Sequence, residues 1–475
     1  MGAIKFGTDG WRAVISEDFT FDNVKIVGQA MADYINNDTG PASKVKDKRV
    51  VIGYDTRFLS EKYAELVACV LGANGIKVIL SDRPTPTPSV SFAIKDRGLT
   101  GGVMITASHN PARYNGIKYK AYYGGSAGTD ITKAFEGYLG KNEVRYLSAT
   151  ELKNKGMIEY EDIIPKHLEF VKKYVNVKLI KKARLKVLVD SMFGTGNGYI
   201  YGLLFGGKCK VTTIHEDVNP SFCGINPEPI LPNLKELAEK TKRDKYDIGI
   251  ATDGDADRLG IALPNGKLLT GHKVMSLLLL HLLEDKGLRG GVVQTLCGTG
   301  LINKICKKYG LKMYETPVGF KYICELMIKE DILAGGEETG GVAFKDSIPE
   351  RDGILSGLLI LEMMAMRKKK IMDILKSIDK EYGTYEYRRL DVKYPDQKKA
   401  LLMDLLKNNP PKDILGKKVT EIKTTDGYKL ICEDSSWLML RLSGTEPILR
   451  VYSEASSEKR AMAILAEGKR IADSV

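Results

Sequence analysis

Two loops of this chain carry the residues that could do chemistry. The apolar run 102–105 predicts a buried strand that delivers Ser108 into the loop Thr106–Pro111. Further along, three aspartates stand at alternate positions, where their carboxylates can turn towards one hard cation: Asp253, Asp255 and Asp257. Arg258 follows them directly. A serine carrier, a carboxylate-bound cation and a neighbouring guanidinium together indicate metal-assisted phosphoryl transfer.

The aspartate spacing has a competing interpretation, because calcium-binding EF-hand loops open in the same way. An EF-hand loop also needs a glycine at its sixth position and a glutamate at its twelfth. Arg258 and Pro264 stand at those positions here. The pattern therefore favours a cation site that serves a phosphoryl group, with Arg258 supporting the group in transfer.

Two other enzyme classes lack their motifs. A dinucleotide-dependent dehydrogenase needs Gly-x-Gly-x-x-Gly after a strand, whereas the nearest candidate, 194–198, has different spacing and no clear acidic partner. The chain also contains no Gly-x-x-x-x-Gly-Lys-[Ser/Thr] element, which disfavours an ATP-dependent kinase.

Composition bounds the class of protein. The chain has 475 residues, of which 43% are hydrophobic and 28% charged, as in a globular protein of about three domains. The net charge of +12 could attract anions or simply reflect a lysine-rich surface. We favour the surface interpretation, because the cluster 367–370 ends a helix-like stretch and no basic stripe is interleaved with aromatic residues.

Cysteine usage and the N-terminus predict a cytoplasmic protein. The seven cysteines are scattered and form no Cys-x-x-Cys pair, so neither zinc nor a disulfide framework is indicated. Residues 1–5 lead straight into a functional-looking loop and leave no room for a signal peptide. The longest apolar run, 277–283, is far shorter than the roughly 20 residues that span a bilayer.

Periodicity predicts alternating strands and helices over the first three quarters of the chain. A helix is expected over Ser60–Ala73, and strands are expected at 49–54, 77–80, 185–190, 210–214, 247–251, 291–294, 312–314 and 332–334. Beyond about Tyr382 the pattern changes to alternating polar and apolar residues at 385–392 and 437–452, followed by an amphipathic helix over 458–472.

These patterns predict an α/β protein with three similar domains and mixed sheets, followed by a smaller C-terminal α+β domain. We expect the domains at 1–155, 156–265, 266–381 and 382–475. Each of the first three units ends an apolar strand in a polar loop with glycine, which is where open α/β sheets bind their ligands.

The whole chain resembles the α-D-phosphohexomutases, a family that includes phosphoglucomutase, phosphomannomutase and phosphoglucosamine mutase. Five segments in this order carry the resemblance: Phe6–Arg12, Thr106–Pro111, Asp253–Arg258, Gly336–Gly340 and Arg441–Pro447. The resemblance implies four domains around a central cleft, to which they contribute the phosphoserine, metal-binding, sugar-recognition and phosphate-binding loops in turn.

The resemblance also implies a reaction and its catalytic groups. Hexose 1-phosphate and hexose 6-phosphate would be interconverted through a phosphoserine at Ser108 and a hexose 1,6-bisphosphate, which is both intermediate and activator. One Mg²⁺ per chain would be held by Ser108 and the three aspartates. The other implied catalytic residues are His109, which shapes the loop, Arg258, and Lys118, which is either a general acid/base or a phosphate-pairing cation. A lysine acts as an acid/base only if burial or positive charge lowers its pKa.

Substrate-binding residues follow from the same resemblance. They are Arg12 and Lys321, the sugar-reading pair Glu337 and Thr339, and the phosphate-binding set Arg441, Ser443, Gly444, Thr445 and Arg450. Two alternatives stay open. Thr339 could cap a helix instead of contacting the sugar, and Arg57 could either add positive charge from the first domain or pair with a structural acid.

The sugar is predicted less sharply than the reaction. Some bacterial phosphomannomutase/phosphoglucomutase members carry histidine at the positions that match Phe320 and Gly341, and this chain lacks both. We therefore expect glucose, with mannose as a second substrate and phosphoglucosamine mutase as the alternative activity. A non-catalytic sugar-phosphate sensor is disfavoured because Ser108 and all three aspartates are present. The predicted partners are sugar phosphates, not nucleic acid or membrane, and the protein is expected to be a monomer or homodimer.

Overall fold

The computed structural model describes residues 4–7, 9–443 and 448–475. Its strands are β1 (Trp11–Val14), β2 (Asp47–Tyr54), β3 (Val78–Ser81), β4 (Leu99–Ile105), β5 (Tyr114–Ala121), β6 (Ile158–Glu161), β7 (Lys186–Asp190), β8 (Lys210–Ile214), β9 (Ile248–Thr252), β10 (Leu259–Ala262), β11 (Leu268–Leu269), β12 (Gly291–Thr295), β13 (Met313–Thr316), β14 (Ile332–Gly336), β15 (Val342–Phe344), β16 (Glu386–Lys393), β17 (Asp413–Ile414), β18 (Lys417–Lys423), β19 (Tyr428–Cys432), β20 (Trp437–Leu442) and β21 (Ile448–Ala455).

The helices are α1 (Phe21–Asn37), α2 (Ser60–Ala73), α3 (Thr87–Arg97), α4 (Thr129–Tyr138), α5 (Ala149–Asn154), α6 (Ile164–Tyr174), α7 (Val177–Lys182), α8 (Tyr199–Leu204), α9 (Lys235–Arg243), α10 (Gly271–Leu280), α11 (Gly300–Tyr309), α12 (Phe320–Lys329), α13 (Gly353–Arg367), α14 (Ile371–Tyr382), α15 (Asp396–Asn408) and α16 (Glu458–Asp473). Within the described residues, no helix is both long and apolar enough to cross a membrane.

Residue contacts divide the chain into two compact units, the first formed by 1–288 with 319–371 and the second by 289–318 with 372–475. The first unit contains a six-stranded mixed sheet in the order β1-β5-β4-β2-β3-β6 and a five-stranded mixed sheet in the order β11-β10-β9-β7-β8. In the six-stranded sheet, Val50 and Ile52 pack into one apolar cluster while Val51 packs into another. Both faces of β2 are therefore buried, as its continuous apolar run requires.

Three loops of the first unit connect antiparallel neighbours. The serine loop (106–113) joins β4 to β5, the aspartate loop (253–258) joins β9 to β10, and the glutamate loop (337–341) joins β14 to β15. In the aspartate loop, Thr252 pairs directly with Leu259, so the six residues between them make up the whole connection. The antiparallel partner returns the chain immediately, which limits how far each loop can move.

The second unit contains the parallel pair β12 and β13 and a six-stranded sheet in the order β16-β21-β20-β19-β18-β17. Its sheet pairs are antiparallel, and α16 contributes Ala461, Ile464 and Leu465 to the apolar core beneath them. This arrangement matches the predicted shift to alternating polar and apolar residues.

Three buried polar side chains form a hydrogen-bonded group that connects helices α3, α6 and α13 of the first unit. The ring of His167 lies with Nδ1 2.9 Å from Ser89 Oγ and Nε2 2.8 Å from Asp352 Oδ2. Asp352 also accepts a hydrogen bond from the backbone N–H of Leu355, which caps α13. These residue types resemble a hydrolytic triad. However, Ser89 is 0% exposed, so its hydroxyl cannot meet a substrate. The hydrogen-bonded group of Ser89, His167 and Asp352 therefore has a structural role.

We expect His167→Ala to lower the midpoint of urea unfolding, because it leaves Ser89 and Asp352 buried without their shared partner. The loss should be about 2–3 kcal/mol. Ser89→Ala is the milder control, expected to cost about 1 kcal/mol. A His167→Ala midpoint equal to that of the native protein would contradict the structural role.

Candidate active site

The serine loop presents Ser108 at the end of a fully buried strand. Ser108 has a left-handed backbone with φ of 51°, which a non-glycine residue adopts only when its surroundings hold it there. Its backbone N–H donates to Thr106 Oγ1 at 2.8 Å. Its Oγ donates to Asp253 Oδ2 at 3.0 Å and lies 3.4 Å from His109 Nδ1. The loop thus directs the hydroxyl towards Asp253 of the aspartate loop.

Arg57 holds the serine loop in shape. All five of its N–H donors are used: they bond to Asp55 Oδ2 at 3.0 Å and to the carbonyl oxygens of Ser108 (2.5 Å), Asn110 (2.6 Å), Pro111 (2.9 Å) and Tyr114 (3.1 Å). This geometry fits the structural alternative for Arg57. The sequence showed the nearby acid but not the four carbonyl contacts.

The three aspartates of the aspartate loop form a compact group of oxygen ligands. They are fully buried, and one oxygen of each lies within 4.8 Å of the others. Gly254 lets this loop approach the serine loop, because a Cβ there would lie 2.7 Å from the Ser108 carbonyl oxygen. Asp253 Oδ1 accepts the backbone N–H groups of Asp257 and Arg258, both at 3.0 Å, which fixes the loop.

The electrostatics of this group fit a divalent cation. Asp255 Oδ1 and Asp257 Oδ1 are buried and have no hydrogen-bond partner among the described residues. Burial raises the pKa of Asp253 well above its usual range, and repulsion from Asp257 and Asp255 raises it further. A hard cation would satisfy the bare oxygens and offset that repulsion, so the residues present fit a metal site.

Lys118, on β5, lies beside the aspartate loop and is 1% exposed. Its ammonium contacts Asp255 Oδ2 at 2.8 Å, Asp9 Oδ2 at 2.9 Å and Asp257 Oδ2 at 3.5 Å. Burial favours the neutral amine, but attraction to these carboxylates outweighs it and raises the pKa of Lys118. Acid/base catalysis by a lysine requires a lowered pKa, and in this arrangement the pKa of Lys118 is raised instead. This favours the alternative that Lys118 pairs with charge, and the acid/base role stays a prediction.

Three further basic side chains lie close to the serine and aspartate loops. Arg12 Nη1 donates to Asn110 Oδ1 at 2.7 Å. Arg258 Nε lies 3.8 Å from Asp257 Oδ1 and has no hydrogen-bond partner among the described residues. Burial lowers the pKa of His109 well below its usual range, and the charges of Arg258 and Arg12 lower it further, so the imidazole is neutral.

The glutamate loop contributes a buried carboxylate. Glu337 Oε2 accepts from Arg351 Nη1 at 3.3 Å. Burial raises the pKa of Glu337 to about 7, opposed by Arg351 and aided by Glu338. Thr339 lies in the turn between β14 and β15, so it does not cap a helix, and its Oγ1 has no hydrogen-bond partner among the described residues. Both groups suit the recognition of hydroxyls.

Lys321 was predicted from the sequence as a substrate-binding residue, whereas Arg351 was not. Lys321 stands in the first turn of α12, with its ammonium 5.2 Å from the Tyr322 ring. Arg351 was missed, although it joins the aspartate loop to the glutamate loop. The only sequence signal for it is the run of charged residues Glu350–Asp352 before an apolar helix.

The second unit carries the predicted phosphate-binding residues. Arg441 on β20 stands directly opposite Arg450 on β21, so both side chains share one face of the sheet. Arg441 Nε donates to Asp426 Oδ2 at 2.9 Å, and Arg450 Nε lies 3.8 Å from Asp391 Oδ2. The backbone N–H of Ser443 donates to the Ile448 carbonyl at 2.9 Å. Two more predicted residues, Gly444 and Thr445, lie outside the described residues.

We expect Arg57→Lys to loosen the serine loop, because an ammonium cannot reproduce five directed donors. Backbone hydrogen exchange over 108–110 should become faster, and turnover should fall at least tenfold, since small misplacements of reacting groups are costly. Arg97→Lys is the control, because it alters an ion pair between the end of α3 and Glu161 on β6. Unchanged exchange and turnover in Arg57→Lys would contradict the role of Arg57.

Comparison with known protein families finds matches over most of the chain. Four phosphoglucomutase/phosphomannomutase family models match it: alpha/beta/alpha domain I at residues 3–145, domain II at 165–266, domain III at 270–382 and the C-terminal domain at 390–470. The predicted fold class, with three similar α/β domains and a C-terminal domain, is thereby confirmed. The domain boundaries stay a prediction.

Individual relatives cover nearly the whole chain. A phosphoglucomutase/phosphomannomutase of Thermococcus kodakarensis is 32% identical over 466 residues, covering 98% of both chains. A phosphoglucosamine/phosphogalactosamine mutase of Sulfurisphaera tokodaii is 30% identical, covering 98% of this chain and 99% of its own. A solved structure from Thermus thermophilus is 34% identical and superposes with a TM-score of 0.87, covering 99% of both chains. This chain therefore belongs to the α-D-phosphohexomutase family and is an intramolecular phosphotransferase of the isomerase class.

Proposed function

We propose that this phosphohexomutase interconverts glucose 1-phosphate and glucose 6-phosphate, with mannose phosphates as second substrates. The observation that carries the proposal is the contact of 3.0 Å between Ser108 Oγ and Asp253 Oδ2. It brings a nucleophilic hydroxyl to a buried group of carboxylates that fits a cation, which is the arrangement that phosphoryl transfer needs.

In the proposed reaction, a phosphoryl group on Ser108 moves to the free 6-hydroxyl of glucose 1-phosphate. The bond from phosphorus to Ser108 Oγ breaks and a bond from phosphorus to O6 forms; the 6-hydroxyl loses its proton, and Ser108 Oγ takes up one proton to become a hydroxyl. The resulting glucose 1,6-bisphosphate turns over, and its 1-phosphoryl group returns to Ser108 Oγ, which leaves glucose 6-phosphate. Mg²⁺ held by the three aspartates and Ser108 would supply charge neutralisation at the phosphoryl oxygens.

The chain's own residues hold the group in transfer and the sugar. Arg258 and Arg12 provide positive charge beside the serine loop, and His109 provides a neutral imidazole. We assign sugar recognition to Glu337, Thr339 and Lys321. The second phosphate of the substrate is assigned to the set Arg441, Ser443, Gly444, Thr445 and Arg450, whose paired guanidinium groups suit a dianion. We also propose that the protein works in the cytoplasm as a monomer or homodimer; all seven cysteines lie among the described residues and none of them forms a disulfide.

A second candidate activity is phosphoglucosamine mutase. It is favoured by the relative from Sulfurisphaera tokodaii, which is named a phosphoglucosamine/phosphogalactosamine mutase and is nearly as similar to this chain as the phosphoglucomutase/phosphomannomutase. The two activities differ at one sugar position, where a hydroxyl is replaced by an amine. Steady-state kinetics with both sugars therefore separates them.

The test uses the full chain with glucose, mannose and glucosamine 1-phosphates, each with Mg²⁺ and a trace of the matching bisphosphate. We expect kcat/KM to be highest for glucose 1-phosphate. A higher value for glucosamine 1-phosphate would replace the proposed substrate by the alternative, and no turnover of any of the three would overturn the proposed function. Ser108→Ala is the control, expected to lose at least a thousandfold in kcat while staying folded, because it cannot carry the phosphoryl group.

We expect activity to follow the ionisation of Glu337, whose pKa is about 7. An ionised carboxylate only accepts hydrogen bonds and so suits sugar hydroxyls, whereas the protonated form loses part of that capacity. As pH rises through 7 the ionised fraction rises, so kcat/KM should rise and level off about one pH unit higher.

Glu337→Gln is the matched control for this pH profile, because its amide does not titrate. In the variant, the rise of kcat/KM near pH 7 should disappear. The only remaining pH dependence should come from the titration of the substrate's phosphate. A profile identical in shape for both proteins would show that Glu337 does not control binding through its charge.

A further inference from the structure

Arg351 is surrounded by carboxylates that come from separate parts of the first unit. The side chain is 4% exposed. Its guanidinium contacts Asp257 Oδ2 at 2.8 Å, Asp9 Oδ2 at 2.9 Å, Glu350 Oε1 at 3.2 Å and Glu337 Oε2 at 3.3 Å. One rigid group therefore touches both a predicted metal ligand and the predicted sugar-reading carboxylate.

We propose that Arg351 is a positioning residue for sugar recognition, which fixes the Glu337 carboxylate relative to the aspartate loop. It acts through Glu337 and needs no contact with the substrate. The inference rests on the proposed function, because Glu337 can recognise a sugar only if a sugar phosphate binds beside it.

The planar shape of arginine is essential to this role. Nη1 reaches Glu337 while Nη2 reaches Asp257 and Asp9, so the fork sets the separation of the two loops. A lysine would keep the positive charge but offers one ammonium point, which cannot hold both directions at once. Arg351→Lys therefore separates shape from charge.

Gly341 offers a second way to disturb Arg351 without removing any charge. A Cβ at this position would lie 2.3 Å from Arg351 Cδ and 2.8 Å from Cγ. On another side the guanidinium lies 4.9 Å from the centre of the Phe320 ring, which limits where it can move. Gly341 is not in the left-handed region, so alanine there displaces the arginine and adds no backbone strain.

The test is a double-mutant cycle on kcat/KM for the preferred hexose 1-phosphate, at saturating Mg²⁺, with Arg351→Lys, Glu337→Gln and the double variant. If Arg351 acts through Glu337, Arg351→Lys lowers kcat/KM at least tenfold in the native background and less than threefold in the Glu337→Gln background. Full activity of Arg351→Lys, or an equal loss in both backgrounds, would overturn the inference.

Gly341→Ala repeats the test with every ionisable group in place, which keeps it decisive if Arg351→Lys fails to fold. We expect at least a threefold loss of kcat/KM that disappears in the Glu337→Gln background. Gly202→Ala, where a Cβ meets nothing within 4 Å, is the matched control and should keep native activity.

Failure of the inference and failure of the proposed function give different results. A native protein that turns over none of the three sugar phosphates overturns the proposed function. A native protein that is active, combined with a Gly341→Ala variant of native kcat/KM, overturns the role of Arg351 alone.

Discussion

The first unit depends on a set of charged side chains that are stable in its interior only as a network. Lys118 and Lys120 both approach Asp9, at 2.9 and 3.5 Å, and Lys120 Nζ lies 2.6 Å from Glu350. Removing one partner of a buried pair leaves a charge whose desolvation costs several kcal/mol. Lys118 and Arg351 both pair with the aspartate loop, and Arg351 also pairs with the glutamate loop. Because Ser108 in turn donates to Asp253, the serine, aspartate and glutamate loops form one site rather than three.

This network also explains which strands the sequence could predict. The apolar strands and α2 follow from hydrophobic periodicity, and α2 has the predicted bounds, Ser60–Ala73. The strand β5 was missed, because Lys118 and Lys120 share one of its faces and are buried there, where a strand normally carries apolar residues. Their burial depends on Asp9 and Glu350, which no local pattern can reveal.

The same distinction applies to the site. Ser108 and the aspartates could be found because each group sits within one short loop whose spacing has chemical meaning. Arg351 could not, since its contact Asp9 lies 342 residues away in the chain and only the folded structure makes them neighbours. Local spacing therefore points to the groups that we propose to react, whereas a group proposed to position them, such as Arg351, comes from a distant segment.

The arginines near Ser108 differ in how fully their donors are used. All five N–H groups of Arg57 donate to Asp55 or to carbonyl oxygens of the serine loop and β5, so none is available to bind a phosphate. Arg258 is also buried, yet its Nε has no hydrogen-bond partner among the described residues. A buried N–H donor without a hydrogen-bond partner lowers the stability of the fold, and such donors are found where a ligand supplies the missing acceptor. Donor use thus separates Arg57, which builds the serine loop, from Arg258, which we propose supports the phosphoryl group.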